Sequence, residues 1–554
     1  MSAAPDPVEI HDTTLRDGTQ REGISLSSAD KLRIAERLDA LGVHVIEAGF
    51  PGSNPKDAEV FRRARDVQWK QAQLAAFGST RRSDIHVEHD PGLRTLLEAD
   101  TPACVIFGKS SAMQVQVVLR TSLDENLRMI EESVAYLRAQ GRRVIYDAEH
   151  YFDAFAADEG YALETLRAAV RGGADVVVLC DTNGGSLPWQ IERAVHEAAR
   201  VVPVRLGIHA HDDSGCGVAN SLAAVRAGAR HVQGTINGYG ERCGNADLCS
   251  VLPGVELKLG LRALEPGKLA ELRDVSRFVA EIANLAHDPH QPYVGRSAFA
   301  HKGGTHVAAV RLSPETYQHV DPALVGNETR VVVSELSGRA NVRSKAEELG
   351  LSLEGDLGRD IDREVVREIK DREAEGASFE AAEASVALML QRRRPGYRPP
   401  FRVLAFQVIT SKRDSGSSTS EATIKLEIGG AVVHTAAEGG GPVAALDAAL
   451  RKALTSAHPL AAQIHLVDYK VRILDGRDGT AAVTRVLVDS TSKGVGGTRG
   501  WSTVGAAPSI VDASFAALAD GYEYGLSSLE EGRLEEAQAS HSSEEAAEAK
   551  REVA

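Results

Sequence analysis

Two short stretches of the sequence carry side chains of the types that hold divalent metal ions. HDTTLRDG places Arg16 beside Asp17, and IHAHDD contains His209 and His211. Because successive side chains of a strand point to opposite faces, an H-x-H pair on a strand directs both imidazoles to the same side. The glycine-rich stretch NGYGERCGNADL adds the amide of Asn245. Two imidazoles, a carboxylate and an amide oxygen form a mixed set that suits a divalent metal with positions left open for a substrate.

Each of these features also has a plainer interpretation. An H-x-H pair alone is weak evidence for a metal, and Arg16 with Asp17 could form a structural salt bridge. Glu149 follows another apolar run as a single acid, and taken alone it could equally be a solvated loop residue. Cys243 is most simply a small residue in a tight loop, with a reactive thiol as the alternative. A metal site therefore requires a fold that brings the separate stretches together.

The elements that would position these side chains repeat eight times in about the first 260 residues. Each repeat is a short β-rich apolar run that ends in polar or glycine residues, followed by an amphipathic helical stretch such as LDENLRMIEESVAYLRAQG. This alternation implies a parallel sheet, and eight units favour a (β/α)8 TIM barrel, whose active sites lie at the carboxyl ends of the strands. An open sheet usually has five or six strands, and no G-x-G-x-x-G turn follows the first run. The runs begin at Val8, Val43, Ala72, Ala103, Arg143, Asp175, Val204 and His231.

The remaining chain lacks this alternation of apolar runs and amphipathic helical stretches. After a barrel domain predicted over residues 1–265, a helical accessory region is predicted over 266–400, and it ends in the linker-like QRRRPGYRPPF. Over 401–525, segments such as FRVLAFQVITSK alternate apolar and polar residues at period two, the pattern of half-buried antiparallel strands, and two helical patterns accompany them. We therefore predict a C-terminal α+β domain. The charged tail over 526–554 is expected to be disordered.

The composition excludes several classes of partner. The 554 residues include 63 basic and 78 acidic ones, for a formal net charge of −15, whereas a nucleic-acid binder needs clustered positive charge. No apolar run approaches the ~18 residues that span a bilayer, and the N-terminus lacks a secretory signal pattern. The five cysteines form no C-x-x-C pair, which argues against a disulfide framework or a zinc-thiolate site. We expect a cytoplasmic protein that binds neither nucleic acid nor membrane.

Several longer motifs carry a family resemblance. DTTLRDGTQREG, IEAGFPGSNPKDAEVF, CDTNGG, HAHDDSGCGVANS and NGYGERCGNADL resemble the 2-isopropylmalate/homocitrate/citramalate synthase family. The motifs SAFAHKGGTHV and YQHVDPALVGN resemble the corresponding segments of its citramalate-forming branch. The resemblance runs from about residue 8 to 525, and WSTVGAAPSIVDAS looks like the end of the family's C-terminal regulatory domain. The motifs are less specific for the substrate than for the superfamily, because sister enzymes share most of them.

The resemblance implies a ligand set for a divalent cation. Asp17, His209, His211 and Asn245 match the family's metal ligands. Their mixed nitrogen and oxygen donors leave Mn, Mg, Zn and Co open. Arg16 matches the arginine that contacts the ketone oxygen of a 2-keto acid and stabilises the developing alkoxide.

Further roles follow from the same resemblance. Thr182 in DTNGG matches a residue that hydrogen-bonds the substrate carboxylate. Glu149 matches an active-site acid near the acetyl methyl group, and His306 and Tyr317 match residues that the segment after the barrel brings over the site. Either Glu149 or His306 could serve as the base, and the sequence does not choose between them. One departure is Ser509, which stands where relatives usually have asparagine.

The reaction implied is that of an acyltransferase. Acetyl-CoA, as co-substrate, would undergo a Claisen-type condensation with pyruvate, and thioester hydrolysis would release citramalate and CoA for isoleucine biosynthesis. One alternative is a 2-isopropylmalate or homocitrate synthase that acts on a larger 2-keto acid. Another is a lyase that cleaves a 3-hydroxy-3-methylacyl-CoA on the same barrel, although such lyases generally lack an added C-terminal domain. A non-catalytic metabolite-binding protein is disfavoured by the complete set of site residues.

The C-terminal domain is expected to act outside the chemistry. It contains nothing that resembles a nucleophile, a metal cluster or a phosphate loop. Its half-buried strands need a covered face, which a second copy of the chain could provide in a homodimer. The resemblance suggests isoleucine as an effector, held between strands and glycine-rich turns such as SKGVGGTRG. A purely structural dimerisation domain is the alternative.

Overall fold

Eight parallel strands close into a barrel in a computed structural model of the chain, which describes residues 7–348, 355–412, 418–474, 481–494 and 497–529 together with Gly416 and Gly479. Each strand pairs with the next, and the last pairs back with the first, with His231 opposite Glu9. This closure confirms the predicted TIM barrel. The strands are β1 Glu9–Asp12, β2 Val45–Gly49, β3 Gln73–Ser79, β4 Ala103–Lys109, β5 Arg143–Glu149, β6 Val176–Asp181, β7 Arg205–Ala210 and β8 His231–Gly234.

Helices follow the strands, and local capping signals mark where they begin and end. The first helix, Ser28–Leu41, starts after Ser27, whose hydroxyl accepts a hydrogen bond from the amide of Asp30 while the Asp30 carboxylate accepts one from the amide of Ser27. It ends at Gly42, whose φ of 108° suits glycine. The helices of this part are α1 Ser28–Leu41, α2 Pro55–Ala64, α3 Pro91–Glu98, α4 Ala112–Gln114, α5 Leu123–Ala139, α6 Tyr151–Ala157, α7 Glu159–Gly172, α8 Pro188–Ala199, α9 Gly217–Arg226, α10 Leu248–Pro253 and α11 Leu272–Ile282.

Short helical turns connect several of these elements. Most are single 3₁₀ turns, and two, Val115–Leu119 and Gly254–Lys258, are π-helical extensions of the helices before them. The 3₁₀ turns are Gly18–Gln20, Val87–His89, Ile236–Gly238, Lys268–Glu271, Pro314–Thr316, Pro322–Val325 and Pro459–Gln463.

Side chains fill the interior of the barrel. One face of each strand packs on the helices, and the alternate face points inward. A separate cluster of mostly small and β-branched residues occupies the inward face of β2 to β6, including Val45, Val105, Ile145 and Val178. Polar side chains occupy the remaining inward positions, and all are buried: Glu9, His11, Glu47, Asp147, His209, His231 and Gln233. The barrel therefore carries a buried polar region beneath the ends of β1, β7 and β8.

The chain divides into two compact units. The first contains the barrel and extends to Phe299, with Gln318–Thr329 added to it. The second contains Ala300–Tyr317 and the chain from Arg330 onward. The domain limits predicted at residues 265, 400 and 525 remain predictions.

The second unit begins with a small parallel sheet and four helices. The sheet pairs β9 Ala300–His301 with β10 Arg330–Val331. Within the accessory region predicted as helical over 266–400, three separate helices follow β10, and a buried cluster that includes Val342, Val365 and Phe379 packs among them. The four helices are α12 Gly304–Leu312, α13 Arg339–Glu348, α14 Gly355–Ala374 and α15 Glu383–Gln391.

Two three-stranded antiparallel sheets follow, and they confirm the predicted α+β domain. The buried cluster of this domain includes Leu426 of the first sheet, Leu446 and Leu450 of one helix and Leu518 of the other. The first sheet has β11 Arg402–Lys412, β12 Ser418–Ile428 and β13 Ala431–Gly439; the second has β14 Ile464–Ile473, β15 Thr484–Gly494 and β16 Gly497–Ala507; the helices are α16 Pro442–Thr455 and α17, residues 510–529.

The stretch SKGVGGTRG, predicted to contain a glycine-rich turn, spans the facing ends of β15 and β16, which pair from Gly494 and Gly497 outward. Small residues and glycine give β16 no clear alternation, so pairing with β15 rather than local pattern makes it a strand. Residues 495 and 496 lie outside the described residues. Of the tail predicted to be disordered over 526–554, residues 526–529 instead continue α17, because Leu526 packs in the buried cluster of this domain, and the part from residue 530 lies outside the described residues.

No helix in the described ranges has both the length and the apolar character that crossing a membrane requires.

Candidate active site

A cavity of about 440 Å³ opens at the carboxyl ends of the barrel strands. The loops after β1, β2, β6 and β8 contribute to its walls together with the ends of β3, β4, β5 and β7. Six residues predicted from the sequence line this barrel cavity: Arg16, Asp17, Glu149, Thr182, His209 and His211.

One carboxylate and two imidazoles meet at the floor of the barrel cavity. Oδ2 of Asp17 lies 3.3 Å from Nε2 of His209 and 3.9 Å from Nε2 of His211. All three residues are buried, and one potential ligand atom from each lies within 4.8 Å of the others. Ala210, between the two histidines, points to the other face and is also buried. The H-x-H pair thus presents both rings to Asp17, as predicted.

Asn245 lies beside this group. It is bridged to His211 through the backbone, and its side-chain amide donates a hydrogen bond to the carbonyl of Tyr239. Its Oδ1 is buried without a hydrogen-bond partner among the described residues. The loop that presents Asn245 needs glycine at Gly244, where φ is 98° and a Cβ would lie 2.0 Å from the carbonyl oxygen of Gly238.

The electrostatics of the group favour ligands that are free of protons. Burial lowers the pKa of His209 to about 4 and also lowers the pKa of His211. Burial alone would raise the pKa of Asp17, but Arg16 and the two histidines hold it below its usual range. Metal ligands must be deprotonated. The anionic carboxylate, the neutral imidazoles and the unpartnered amide oxygen therefore fit a divalent cation.

Arg16 is held at the edge of this group by contacts on several sides. Its Nε donates a hydrogen bond to Oε1 of Glu47 at 2.5 Å, and its Nη1 lies 3.4 Å from Oδ2 of Asp17. Its guanidinium carbon lies 3.7 Å from the centre of the Phe77 ring. Burial would lower the pKa of Arg16, but the two carboxylates raise it. Arg16 is therefore a fixed cation at the cavity wall.

Three phenylalanines form an aromatic wall in the barrel cavity. Phe77 is stacked on Phe107 with ring centroids 5.4 Å apart, and Phe50 meets Phe77 edge-on at 5.6 Å. These rings occupy the side of the cavity on which the Arg16 guanidinium lies over Phe77. The wall makes that side of the cavity apolar.

Glu149 and Thr182 lie at the ends of neighbouring strands. Glu149 ends β5 and forms an ion pair with Lys109 at the end of β4, so it is a cavity residue and not a solvated loop residue. Thr182 follows β6, and its hydroxyl oxygen accepts a hydrogen bond from the amide of His150 at 2.8 Å. Both side chains are in position to contact a bound molecule.

His306 and Tyr317 belong to the second unit. His306 lies in α12, and its ring is stacked on that of Tyr317 with centroids 4.2 Å apart. Tyr317 is 50% exposed. The structure therefore brings this predicted pair together within its own unit.

Sequence reasoning missed several residues of the barrel cavity. Arg242 donates hydrogen bonds to Asp213 and to the carbonyl of Thr182, which ties the loop after β8 to the loop after β6. Glu241 and the aromatic wall also line the cavity. Glu47, which contacts Arg16 from within β2, was also missed, and its signal was a carboxylate inside the apolar run VHVIEAGFPG. Cys243, the alternative reactive thiol, is exposed and is not among the residues that line this cavity.

Three family domains match the chain in succession. Residues 7–279 match the HMGL-like family. Residues 293–375 match the homocitrate synthase post-HMGL domain-like family, and residues 380–526 match the LeuA allosteric (dimerisation) domain.

Relatives extend this similarity over nearly the full length. The chain is 52% identical over 538 residues to an (R)-citramalate synthase from Synechocystis sp., which covers 95% of this chain and 97% of that protein. It is 50% identical over 525 residues to an (R)-citramalate synthase from Geobacter sulfurreducens, with 95% and 98% covered. A 2-isopropylmalate synthase from Methanocaldococcus jannaschii is 32% identical over 525 residues, with 93% and 94% covered.

Proposed function

This chain belongs to the (R)-citramalate synthase family, and we propose that it condenses acetyl-CoA with pyruvate and then hydrolyses the thioester to give citramalate and free CoA. The observation that carries this assignment is 52% identity over nearly the full length of a relative with that name. In the reaction, the acetyl methyl group loses a proton and its carbon bonds to the ketone carbon of pyruvate. The ketone oxygen takes up a proton, and water cleaves the thioester.

During this reaction negative charge develops on the ketone oxygen, and the enzyme must stabilise it. A fixed cation aimed at that oxygen stabilises the charge without reorganising during the step. Arg16 meets this requirement because Glu47 and Phe77 hold its guanidinium at the cavity wall. Its raised pKa keeps it charged throughout.

Asp17, His209, His211 and Asn245 would hold a divalent cation. When bound, such a cation supplies Lewis-acid stabilisation of the ketone oxygen. The mixed donor set suits Mn, Mg, Co or Zn and does not select among them.

We assign the remaining site residues from the family resemblance and their positions. Thr182 binds the carboxylate of pyruvate through its hydroxyl. Glu149 or His306 removes the methyl proton, and Tyr317, stacked on His306, orients that imidazole. Glu149→Gln and His306→Gln should separate the two candidates. The variant that lacks the base loses about 10²–10⁴-fold in kcat and in the exchange of acetyl-CoA methyl protons with deuterated water.

The preference for pyruvate is supported by the higher identity of the chain to an (R)-citramalate synthase, 52%, than to a 2-isopropylmalate synthase, 32%. A space shaped for one methyl group excludes an isopropyl group by steric clash, whereas a missing methylene costs only about 1–3 kcal/mol. The test is a panel of 2-keto acids with acetyl-CoA, followed by release of free thiol. A higher kcat/KM with 2-oxoisovalerate than with pyruvate would instead assign the chain to 2-isopropylmalate synthesis.

We further propose that the C-terminal domain forms a homodimer and binds isoleucine, the end product of the pathway that citramalate feeds. The match to a LeuA allosteric (dimerisation) domain supports this role. Apolar side chains are exposed on the strands of both sheets, among them Ile409 and Val432 on the first and Val467 and Ile473 on the second. Ser509 accepts a hydrogen bond from the amide of Asp512 at the start of α17, a capping role that asparagine performs equally well.

An effector acts only through different affinities for two states of the enzyme. Isoleucine should therefore bind the full chain in a calorimetric titration and lower its rate, with valine as the matched control. Light scattering should give the mass of a dimer. Absence of isoleucine binding, with a rate that ignores millimolar isoleucine, would leave only the dimerisation role.

A further inference from the structure

One buried residue of the barrel interior has a role that the proposed reaction does not explain. Gln233 lies on β8, next to His209 of β7 in the strand register, and its side chain is fully buried. Its amide bridges His209 to Asp147 on β5, so its hydrogen bonds link three strands. A buried side-chain amide without hydrogen-bond partners destabilises the folded state, so buried amides are nearly always hydrogen-bonded.

The hydrogen bonds around Gln233 have a single consistent direction. Its Nε2 donates to Oδ1 of Asp147 at 2.9 Å. Its Oε1, which can only accept, lies 2.9 Å from Nδ1 of His209. With the Gln233 amide in this orientation, Nδ1 of His209 carries the hydrogen, and the lone pair lies on Nε2, the atom that faces Asp17.

The environment of Asp147 keeps the far end of this bridge in place. Asp147 is buried, and burial raises its pKa well above the ordinary range. Its hydrogen bond to Gln233 holds the amide from the side opposite His209. The amide is therefore hydrogen-bonded at both ends, to His209 and to Asp147.

We propose that Gln233 is a positioning residue that fixes the tautomer and ring orientation of His209, so that Nε2 is presented to a divalent cation. This inference rests on the proposed metal site and adds to it a determinant of metal affinity. Ligating histidines commonly donate their second N–H to a neighbouring acceptor, and loss of that acceptor typically costs about 10–100-fold in metal affinity or activity. Gln233 acts through His209 and does not itself contact the cation.

Two substitutions distinguish this role from simple filling of the barrel. Gln233→Met preserves length and burial but removes the acceptor for His209. Gln233→Glu keeps an acceptor oxygen for His209 but, like methionine, removes the amide donor to Asp147. A residue that acts only through Asp147 or through packing would make the two variants behave alike. A residue that acts through His209 makes them differ.

The experiment is a calorimetric titration of Mn²⁺ into metal-stripped full-length protein, with folding checked by circular dichroism. We expect Gln233→Met to bind Mn²⁺ about 10–100-fold more weakly and Gln233→Glu to bind at least as tightly as the wild type. Asn126→Leu is the matched control, because Asn126 is a buried amide that bonds the carbonyl of Lys109 and the hydroxyl of Tyr161. It should bind Mn²⁺ like the wild type.

Three results would overturn the proposal. One is wild-type affinity in folded Gln233→Met, and another is equal weakening in both Gln233 variants. The third is failure of the wild type to bind Mn²⁺, Mg²⁺, Co²⁺ or Zn²⁺, which would also remove the metal site itself. If Gln233→Met does not fold, Gln233→Leu replaces it in the same comparison.

Discussion

Nε of Arg16 lies 2.5 Å from Oε1 of Glu47, a residue of β2 that is fully buried. The contact joins the loop after the first strand to the inward face of the second. Burial raises the pKa of Glu47 even though Arg16 opposes this effect. The carboxylate has a second oxygen without a hydrogen-bond partner in the described ranges, so Arg16 is its principal partner. Glu47 therefore sets the direction in which the guanidinium faces the cavity.

Replacing this carboxylate should weaken catalysis without removing any group that touches the substrate. Glu47→Gln keeps an acceptor oxygen for Arg16 but replaces a hydrogen bond between charged groups, worth about 1.5–3 kcal/mol, with a weaker one to a neutral amide, so kcat/KM for pyruvate should fall about tenfold. Steady-state kinetics with both substrates measures this loss. Glu59→Gln is the control, because Glu59 pairs with Arg62 on an exposed helix face. Unchanged kinetics in Glu47→Gln would show that Phe77 and Asp17 suffice to hold Arg16.

Removing the cation should abolish turnover. His209→Ala and Asp17→Ala should each lose bound metal and activity together, because each deletes a member of the buried ligand group. Metal content by mass spectrometry and rate are measured on the same preparations. His44→Ala serves as the control, since His44 accepts a hydrogen bond from the amide of Ile10 and is not part of the group. Full activity of chelator-treated, metal-free enzyme would contradict the metal site.

Removing one ring of the aromatic wall should allow the enzyme to accept larger 2-keto acids. Phe107→Ala removes a ring that is stacked on Phe77 inside the cavity. The ratio of kcat/KM for 2-oxoisovalerate to that for pyruvate should rise about tenfold or more, the scale of discrimination by one or two methylene groups. Phe61→Leu, in the buried core away from the cavity, should leave the ratio unchanged. An unaltered ratio in Phe107→Ala would place the specificity elsewhere.

Glu9 should make stability depend on pH. Burial would raise its pKa, but hydrogen bonds and charges from His231 and Arg143 hold it far below the ordinary value of 4.5. Because the folded pKa is depressed, this contribution is present above about pH 4.5 and is lost as the pH falls toward the folded value. Glu9→Gln should lower Tm most at neutral pH, and the difference from wild type should narrow below pH 4.5. Thermal unfolding across pH measures this, and a difference independent of pH would contradict it.

Local periodicity in the sequence determined the architecture of the catalytic part. Eight repeats of an apolar run and an amphipathic helix predict the barrel, because each pattern matches the period of one element. The same reasoning placed Asp17 just past the first strand and directed His209 and His211 to the same side of the seventh. Period two in the last 150 residues predicted the antiparallel strands, except for β16, whose glycines conceal the alternation.

Only the tertiary structure decided how the buried polar side chains pair. Glu47 meets Arg16 across 31 positions of the chain, and Gln233 meets Asp147 across 86. Such contacts depend on closure of the barrel and on strand register. Both arise from pairing between distant parts of the chain, which the local spacing of residues does not reveal. Burial then sets the charges, because removal of water lowers the pKa of His209 and raises that of Asp147. The sequence therefore identified the candidate ligands, whereas their orientation and protonation depend on the folded interior of the barrel.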